Sequence, residues 1–318
     1  MRAARFHTWG AAPVVEEMPE PVRGPGEVLV QVEAGGVGHL DVTVSSGEFD
    51  MRPQLPYIGG VEGAGTVLEA DDDSGLAPGA QVVLRGGGLG IVRDGTWTER
   101  VSVRRKAVTP LGAPLEPAVA AGFFVPATTA YVALHDVAEV VKGEEVIVVG
   151  AAGAVGAMVV QQALAAGARV TGVVGRADQL ADVPEGARAV VSADAEDLAQ
   201  TRSASLLVDT LGGEGLIGRS RWVRQGGRAV VIGYVAGPRV ELDLPSWLLD
   251  DVALFPVNMI RQERRAREVS GELVRRLSCG DLTLPVETFG LGDTPAALEA
   301  LRNGRVRGRA VVLPGRAG

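Results

Sequence analysis

Residues 146–158 read VIVVGAAGAVGAM, a β-prone run followed by a cluster of small residues and a second apolar run. This order predicts a buried strand, a tight loop and the start of a helix. Aligned with the dinucleotide-binding fingerprint G-x-G-x-x-G, the loop has Ala151 in place of the first glycine. Gly153 would let a pyrophosphate approach the backbone, and Gly156 would let the helix pack closely on the strand. We therefore expect a phosphate site at the helix N-terminus, formed by Ala152, Gly153, Ala154, Val155 and Gly156. A small-residue turn in another kind of parallel sheet is the alternative.

The segments around this loop alternate between strand and helix patterns. Apolar runs at 146–149, 169–174, 189–192, 206–209 and 228–233 are separated by helical stretches, which predicts a parallel sheet covered on both faces. Residues 1 to about 110 instead form short alternating segments between Gly- and Pro-rich turns, which is typical of a β-rich barrel. We therefore expect an α/β protein with a doubly wound Rossmann domain at 117–257. The β-rich domain would occupy 1–116 and be completed by a return segment at 258–318.

Composition and charge exclude several classes of partner. The 318-residue chain is 46% hydrophobic and 22% charged, so a packed globular core is expected. A net charge of -8 argues against a nucleic-acid partner, because phosphate binding needs a basic face. The N-terminus has no apolar signal core and no apolar run reaches membrane-spanning length. Together with Cys279 as the only cysteine, these features predict a cytoplasmic protein with no membrane partner.

The end of the second predicted strand bears on the choice of cofactor. NAD sites place an acidic residue about 20 residues beyond the loop, where its carboxylate binds the ribose hydroxyls. The position 19 residues after Gly156 is Gly175, followed by Arg176, and the nearest acid, Asp178, lies two residues too late. Glycine leaves room for a 2′-phosphate and arginine can bind it with forked donors, so NADP(H) is the expected cofactor. A solvated surface arginine is the alternative interpretation of Arg176.

Taken together, these motifs resemble a known family, the medium-chain dehydrogenase/reductases, and within it the zinc-independent quinone oxidoreductase branch. The resemblance runs nearly end to end and rests on the blocks GEVLVQVEAGGVGHLD, PYIGGVEGAGTV, DGTWTERV, ATTAYVAL, VGAAGAVG, VDTLGGE, GGRAVVIGY and GRVRGRAVVLPG. It implies a GroES-like barrel, a Rossmann cofactor domain, a cleft between them that takes a small-molecule substrate, and a homodimer. It also implies further cofactor contacts at Thr128, Leu211, Gly212, Ile232, Gly233 and Tyr234.

Departures from the family concern zinc. Zinc alcohol dehydrogenases carry a cysteine ligand where this chain has Gly38 and a histidine ligand where it has Val61, whereas Glu62 is kept. Catalytic zinc needs such a ligand set and an open position, and a four-cysteine structural site is impossible with one cysteine. We expect no metal site, with His39, Asp41 and Glu62 as the conceivable remaining ligands.

Loss of a Lewis acid favours one class of reaction. A developing alkoxide depends strongly on such a cation, whereas an enolate spreads its charge over several atoms. We therefore expect an NADPH-dependent oxidoreductase that reduces an activated C=C bond or a quinone, with hydride passing from nicotinamide C4 to the β-carbon. The alternatives are a zinc-free carbonyl reductase or alcohol dehydrogenase in a biosynthetic pathway, and an NADPH-binding protein of low turnover.

The proton donor is not obvious from the sequence. Phe49 stands where enoyl-reducing relatives often have a tyrosine, and Gly38 where quinone-reducing relatives often have an asparagine. The candidate catalytic residues are His39, Tyr57 and Thr128. Each also has a structural interpretation, as a loop histidine, a packed aromatic and a helix-interior threonine respectively. Solvent is equally compatible as the donor.

Overall fold

A computed structural model describes residues 1–316. Its strands are β1 (Arg2–Phe6), β2 (Val14–Glu17), β3 (Glu27–Val37), β4 (Tyr57–Ile58), β5 (Glu62–Glu69), β6 (Gln81–Arg85), β7 (Arg100–Arg104), β8 (Val108–Pro110), β9 (Glu145–Val149), β10 (Arg169–Val174), β11 (Arg188–Val191), β12 (Ala204–Asp209), β13 (Val223–Val231), β14 (Ala253–Pro256), β15 (Val286–Gly290) and β16 (Arg309–Leu313). Its α-helices are α1 (His39–Ser46), α2 (Pro117–Gly122), α3 (Phe124–Tyr131), α4 (Ala154–Ala165), α5 (Glu196–Thr201), α6 (Leu216–Ser220), α7 (Leu244–Asp250), α8 (Glu263–Ser278) and α9 (Thr294–Arg302).

The chain divides into two compact units whose boundaries differ from the predicted ones. The first unit contains Met1–Phe124 and the chain from Leu284 onward, and the second contains Val125–Thr283. The predicted break at 116/117 moves because α2 packs its alanines against β3 and β5 of the first unit. The predicted break at 257/258 moves because α8 belongs to the second unit, where its Arg265 pairs with Asp136.

The first unit is β-rich, as its alternating sequence predicts. One sheet of seven strands has the order β15-β16-β3-β5-β6-β8, with β7 paired to β3, and a second sheet has the order β2-β1-β4. Along β3 the side chains alternate, so that Val28, Val30 and Val32 are buried and Glu27, Leu29 and Gln31 are less so. The buried set joins valines of β5, β6 and β7 in one hydrophobic cluster, which is the packing that a period of two requires.

The second unit is a doubly wound parallel sheet. Its strand order is β11-β10-β9-β12-β13-β14, and every neighbouring pair is parallel. Numbered within the unit this order is 3-2-1-4-5-6, the order of a dinucleotide-binding Rossmann fold, which confirms the predicted architecture. The sixth strand, β14, is absent from the prediction because it is a short edge strand that ends in Pro256 and leaves Phe255 exposed.

The helical pattern of residues 117–138 is divided into three pieces. The first, α2, ends at Gly122, and α3 continues into a π-helix at Val132–Val137. Pro126 lies four residues after Gly122, so its ring would clash with that carbonyl group if one helix ran through. Among residues 1–316, no helix has both the length and the apolar composition that crossing a membrane requires.

Candidate functional site

The candidate site of the second unit lies where four strands end. In the parallel register Val149 of β9 pairs with Val173 of β10, and Asp209 of β12 pairs with both Val149 and Val231 of β13. The loops that follow these strands therefore start side by side at the carboxyl edge of the sheet. Strands β10 and β12 flank β9, so this edge contains the point at which the strand order reverses, where open α/β sheets bind ligands.

The loop after β9 is held by its own backbone. The N–H groups of Gly150 and Ala151 donate to the carbonyl of Val173 at 2.9 and 3.2 Å, and the N–H of Gly153 donates to the carbonyl of Gly150 at 3.0 Å. Gly150 has a φ of +77°, and a Cβ there would overlap the hydroxyl of Thr210. The tight turn that the fingerprint assigns to its first glycine is therefore made by Gly150, one residue before the position predicted from the sequence.

Two other glycines of this loop have different surroundings. A Cβ on Gly156 would overlap the carbonyl of Gly150, so this glycine is needed for α4 to approach the strand. A Cβ on Gly153 would meet only one protein atom, the Gly150 oxygen at 3.3 Å, and Gly153 is exposed. Gly153 is also the N-cap of α4, without a side-chain cap hydrogen bond. The α4 N-terminus thus presents backbone N–H groups and a positive dipole end beside a surface that a Cβ would cover, which fits a phosphate group.

The loop after β12 depends on a residue whose role the sequence did not reveal. The buried carboxylate of Asp209 accepts hydrogen bonds from the N–H groups of Leu211 and Gly212, both at 2.8 Å. Its second oxygen accepts from Arg219 Nε at 2.7 Å, and Arg219 also donates to the carbonyl of Gly212 at 2.6 Å. Asp209 and Arg219 therefore fix the position of two candidate cofactor residues. The signal in the sequence was a lone acid at the end of an apolar strand, followed by a glycine pair.

The loops after β12 and β13 lie against each other. Gly212 has a φ of +63°, and a Cβ there would overlap the carbonyl of Gly233 and approach Tyr234 Cα. The N–H of Ile232 donates to the carbonyl of Asp209 at 2.9 Å. The structure therefore brings Leu211, Gly212, Ile232, Gly233 and Tyr234 together at this edge. Tyr234 is 62% exposed, so its side chain is available to a ligand.

The end of β10 carries the residues predicted to select NADP(H). Gly175 and Arg176 are exposed, and a Cβ on Gly175 would have Gln179 Oε1 at 3.8 Å as its nearest neighbour. The Arg176 guanidinium pairs with the carboxylate of Asp178, with Nε–Oδ1 at 3.1 Å and Nη2–Oδ2 at 3.4 Å. Asp178, which lies two residues beyond the position of a ribose-binding acid, is thus a counter-ion of Arg176, the residue predicted to bind the 2′-phosphate.

Thr128, which was predicted to touch the cofactor, is a buried residue of α3. The neighbouring carbonyl of Ala127 accepts a hydrogen bond at 2.9 Å from the buried side chain of Gln162 on α4. Gln162 therefore ties the segment of Thr128 to the helix that begins at the glycine loop.

His39 and Tyr57 lie in the first unit. His39 is the first residue of α1 and is exposed. Desolvation by the surrounding protein and the positive charge of Arg309 lower the pKa of its imidazole. Tyr57 is buried and stacks on Phe6 with a centroid distance of 5.2 Å. Burial and the charge of Asp41 raise the pKa of its phenol. Both groups are therefore uncharged near neutral pH.

Asp41 holds the loops around positions 38 and 61. Its carboxylate oxygens accept hydrogen bonds from the N–H groups of Gly38 at 2.8 Å and Val61 at 3.0 Å. Burial raises the pKa of Asp41 to about 7, against the opposing effects of these hydrogen bonds and of Arg309. Asp41 therefore has a structural role, in which its side chain joins two backbone segments by hydrogen bonds.

The residues around Gly38 and Val61 do not fit a catalytic zinc site. The fully buried Glu62 forms an ion pair with Arg309 through Oε1, and its Oε2 lies 3.5 Å from Arg85 Nη1. A Cβ on Gly38 would lie 2.8 Å from Arg309 Nη1, so a guanidinium borders the position where the zinc-containing relatives carry a cysteine. In the part of the chain that the structure describes, no three His, Cys, Asp or Glu residues form a group that could hold a metal ion.

Comparisons with known proteins agree with this architecture. The family described as "Alcohol dehydrogenase GroES-like domain" matches residues 24–113, and that described as "Zinc-binding dehydrogenase" matches residues 185–312. The chain is 25% identical over 344 residues to alcohol dehydrogenase 1 of Caenorhabditis elegans, covering 98% of this chain and 96% of that protein. It is 29% identical over 303 residues to an acrylyl-CoA reductase of Ruegeria pomeroyi, covering 90% of each.

A solved structure supports the same assignment. The quinone oxidoreductase of Thermus thermophilus, also solved as its complex with NADPH, is 30% identical, covers 99% of this chain and 100% of its own, and has a TM-score of 0.81. The predicted combination of a GroES-like β-rich domain with a Rossmann domain is thereby confirmed. With this identity over nearly its whole length, the chain belongs to the medium-chain dehydrogenase/reductase superfamily.

Proposed function

We propose that the protein is an NADPH-dependent, zinc-independent oxidoreductase that reduces an activated C=C bond or a quinone. The observation that carries this proposal is the carboxyl edge of the parallel sheet. There the uncapped α4 N-terminus adjoins Gly153, and the exposed pair Gly175 and Arg176 replaces the acid that would bind an unphosphorylated ribose. Two relatives support the reaction class, since one is named a quinone oxidoreductase and solved with NADPH and the other is named an acrylyl-CoA reductase.

The cofactor contacts divide among the loops of this edge. We propose that Ala152, Gly153, Ala154, Val155 and Gly156 hold the pyrophosphate and that Gly175 and Arg176 hold the 2′-phosphate. The nicotinamide end would be held by Thr128, Leu211, Gly212, Ile232, Gly233 and Tyr234. Bound NADPH would supply a hydride. The Asp209 hydrogen bonds would hold Leu211 and Gly212 in place for the cofactor, and the Gln162 hydrogen bond would hold the segment of Thr128.

The acid–base properties of the first unit favour C=C reduction over ketone reduction. A ketone that accepts hydride becomes an alkoxide, which needs a cation or a strong acid at the oxygen. The lowered pKa of His39 leaves little of its protonated imidazolium near neutral pH, and the raised pKa of Tyr57 makes its phenol a weaker acid, so neither side chain is an effective proton donor there. Glu62, kept from the zinc enzymes, is already paired with Arg309 and Arg85. An enolate makes smaller demands, and a weak donor or solvent can protonate it.

An alcohol dehydrogenase or carbonyl reductase is the second candidate. It is favoured by the 25% identity to the Caenorhabditis elegans alcohol dehydrogenase over nearly the full length of both chains. An NADPH-binding protein of low turnover is the third, because the sequence lacks the asparagine at position 38 and the tyrosine at position 49 that the resemblance leads one to expect.

Steady-state oxidation of NADPH distinguishes these candidates. The substrates are methyl vinyl ketone, its saturated counterpart 2-butanone, crotonyl-CoA and 1,4-benzoquinone. We expect turnover with at least one of the unsaturated compounds or the quinone, and none with 2-butanone. Turnover of 2-butanone alone would favour the alcohol dehydrogenase. No turnover with any of the four, together with tight NADPH binding, would favour the binding protein.

The choice of NADPH over NADH rests on Arg176 and has its own test. We expect wild type to bind NADPH at least 10-fold more tightly than NADH, which is about 1.4 kcal/mol. Arg176→Ala should remove most of this preference and leave NADH affinity nearly unchanged. Arg188→Ala is the matched control, since Arg188 is also an exposed arginine of the second unit that pairs with an aspartate, Asp197. Equal affinities of wild type for the two cofactors would refute the assignment.

We also propose a cytoplasmic homodimer. The edge strand β14 has no sheet neighbour on one side among the described residues, and the segment around it exposes Leu248, Leu249, Phe255 and Ile260. Such an edge pairs readily with a second copy of the same chain. Light scattering coupled to gel filtration should give a mass near twice that of the 32.9 kDa chain. A monomer mass at micromolar concentration would contradict this proposal.

A further inference from the structure

The Arg176 side chain, to which the proposed function assigns the 2′-phosphate, is already engaged. Its guanidinium faces both carboxylate oxygens of Asp178, at 3.1 Å and 3.4 Å. This is the forked arrangement that a guanidinium uses to bind a phosphate. A phosphate on the cofactor would therefore compete with Asp178 for the same donors.

The backbone keeps this pair together. Arg176 is the N-cap of a 3₁₀ turn at Ala177–Asp182, with an extended φ of −139° and ψ of 151°. Its N–H donates to Gln179 Oε1 at 3.2 Å, and the N–H of Gln179 donates to the carbonyl of Arg176 at 3.1 Å. This reciprocal bonding fixes residue 176 at the turn that carries Asp178. The backbone of this turn therefore keeps residue 178 within reach of the Arg176 guanidinium.

We propose that Asp178 is a specificity-determining residue that limits the preference for NADPH over NADH. This inference rests on the proposed use of Arg176 as the 2′-phosphate ligand. A 2′-phosphate carries close to two negative charges, so it is repelled by the Asp178 carboxylate while it competes for the guanidinium. NADH has hydroxyls in that place, so it neither needs Arg176 nor is repelled by Asp178. The acid would thus weaken NADPH binding and leave NADH binding almost unchanged.

The size of the effect follows from exposure. The side chains of Arg176 and Asp178 are 49% and 60% exposed, so water and salt screen the interaction. An exposed ion pair together with the repulsion of a nearby phosphate corresponds to about a 3- to 10-fold change in affinity. We therefore expect Asp178→Asn to tighten NADPH binding by about 3- to 10-fold and to change NADH binding by less than 2-fold. The gain for NADPH should shrink at 0.5 M salt.

The test measures dissociation constants of NADPH and NADH by titration of cofactor fluorescence at low and high salt. Asp178→Ser provides a second substitution, and circular dichroism establishes that both variants fold. Asp197→Asn is the matched control, because Asp197 is also an exposed acid paired with an exposed arginine: its Oδ2 lies 3.6 Å from Arg188 Nη2. Its affinities for both cofactors should equal those of wild type.

The outcomes separate this inference from the proposed function. If wild type prefers NADPH and Asp178→Asn and Asp178→Ser leave its affinity within 1.5-fold, Asp178 has no such role and the inference fails alone. An equal gain for NADPH and NADH would also overturn it, since the acid would then act on the whole pocket. If wild type shows no preference and Arg176→Ala changes nothing, the cofactor assignment itself fails. That failure is detected with wild type and Arg176→Ala alone, so it is distinguishable from a failure of the Asp178 proposal.

Discussion

The loop between β9 and α4 contains two glycines for which the structure predicts opposite consequences of the same substitution. In Gly156→Ala the new methyl group would lie 2.7 Å from the carbonyl carbon of Gly150 and 3.0 Å from the Cα of Ala151. Carbon atoms in contact are normally about 3.5–4.0 Å apart, so α4 would have to move by roughly 1 Å. In Gly153→Ala the new methyl group would meet only the Gly150 oxygen, at 3.3 Å.

The two stability changes can be estimated from these contacts. Overpacking costs about 1–3 kcal/mol, and backbone neighbours cannot turn aside, so we expect about 3 kcal/mol for Gly156→Ala. That corresponds to a fall in Tm of roughly 6–12 °C. Gly153 has φ −76° and ψ 161°, a conformation that alanine adopts without strain. The poorer N-cap and the less flexible unfolded chain nearly cancel, so Gly153→Ala should stay within about 1 kcal/mol of wild type.

Gly153→Ala should lose cofactor affinity although its stability is nearly that of wild type. The methyl group of Gly153→Ala would cover the surface at the α4 N-terminus, and we expect NADPH to bind at least 10-fold more weakly to this folded variant. Thermal unfolding by circular dichroism and NADPH titration by fluorescence measure the two effects separately. Wild-type NADPH affinity in Gly153→Ala would show that the pyrophosphate binds elsewhere. Wild-type stability in Gly156→Ala would show that α4 does not pack as closely on the end of β9 as these contacts indicate.

Three further predictions concern the first unit and the proton donor. Metal analysis of the purified protein should find no stoichiometric zinc, and chelators should leave activity unchanged; one zinc per chain, lost together with activity, would contradict this. The pKa of Asp41 is raised to about 7, above about 3.9 in an unfolded chain, so the stability that the protonated carboxyl contributes at low pH is lost as the pH rises through about 7. The free energy of unfolding of wild type, measured by urea denaturation, should therefore fall by up to about 1.4 kcal/mol per pH unit as the pH rises toward 7, and Asp41→Asn should not show this decline. Parallel pH curves for the two proteins would refute this prediction. His39→Ala, Tyr57→Phe and Thr128→Ala should each reduce kcat by clearly less than about 10⁴-fold, because none is a dedicated acid, and a loss of that size in one variant with intact NADPH affinity would identify such an acid.

Much of the second unit follows from its sequence. Uninterrupted apolar strands alternating with helices predict the parallel sheet, and the small-residue loop after the first strand predicts which edge of the sheet carries the candidate ligand site. The identity of the turn-forming glycine does not follow. Both Gly150 and Ala151 precede Gly153 in the sequence, and only the φ of +77° shows that Gly150 takes the left-handed conformation.

The contacts that were missed join residues through conformation rather than through spacing. Residues two apart are not neighbours on the surface of a helix, yet Arg176 reaches Asp178 because residue 176 is extended and residue 178 lies in the following turn. The N–H groups of Leu211 and Gly212 reach the Asp209 carboxylate because the chain turns immediately after β12, and the sequence pattern does not predict this turn. The break between α2 and α3 depends on Pro126, whose effect on the helix is hidden in a continuous apolar pattern.

The position of the transferred hydrogen distinguishes reduction of a conjugated C=C bond from reduction of the carbonyl group. The purified enzyme is incubated with methyl vinyl ketone and NADPH that carries deuterium at the transferable C4 position, and the product is analysed by NMR and mass spectrometry. Hydride transfer to the C=C bond gives 2-butanone with one deuterium on C4, the carbon that was β to the carbonyl in the enone, and this is the expected product. An allylic alcohol with deuterium on the carbinol carbon would contradict it and identify the protein as a carbonyl reductase.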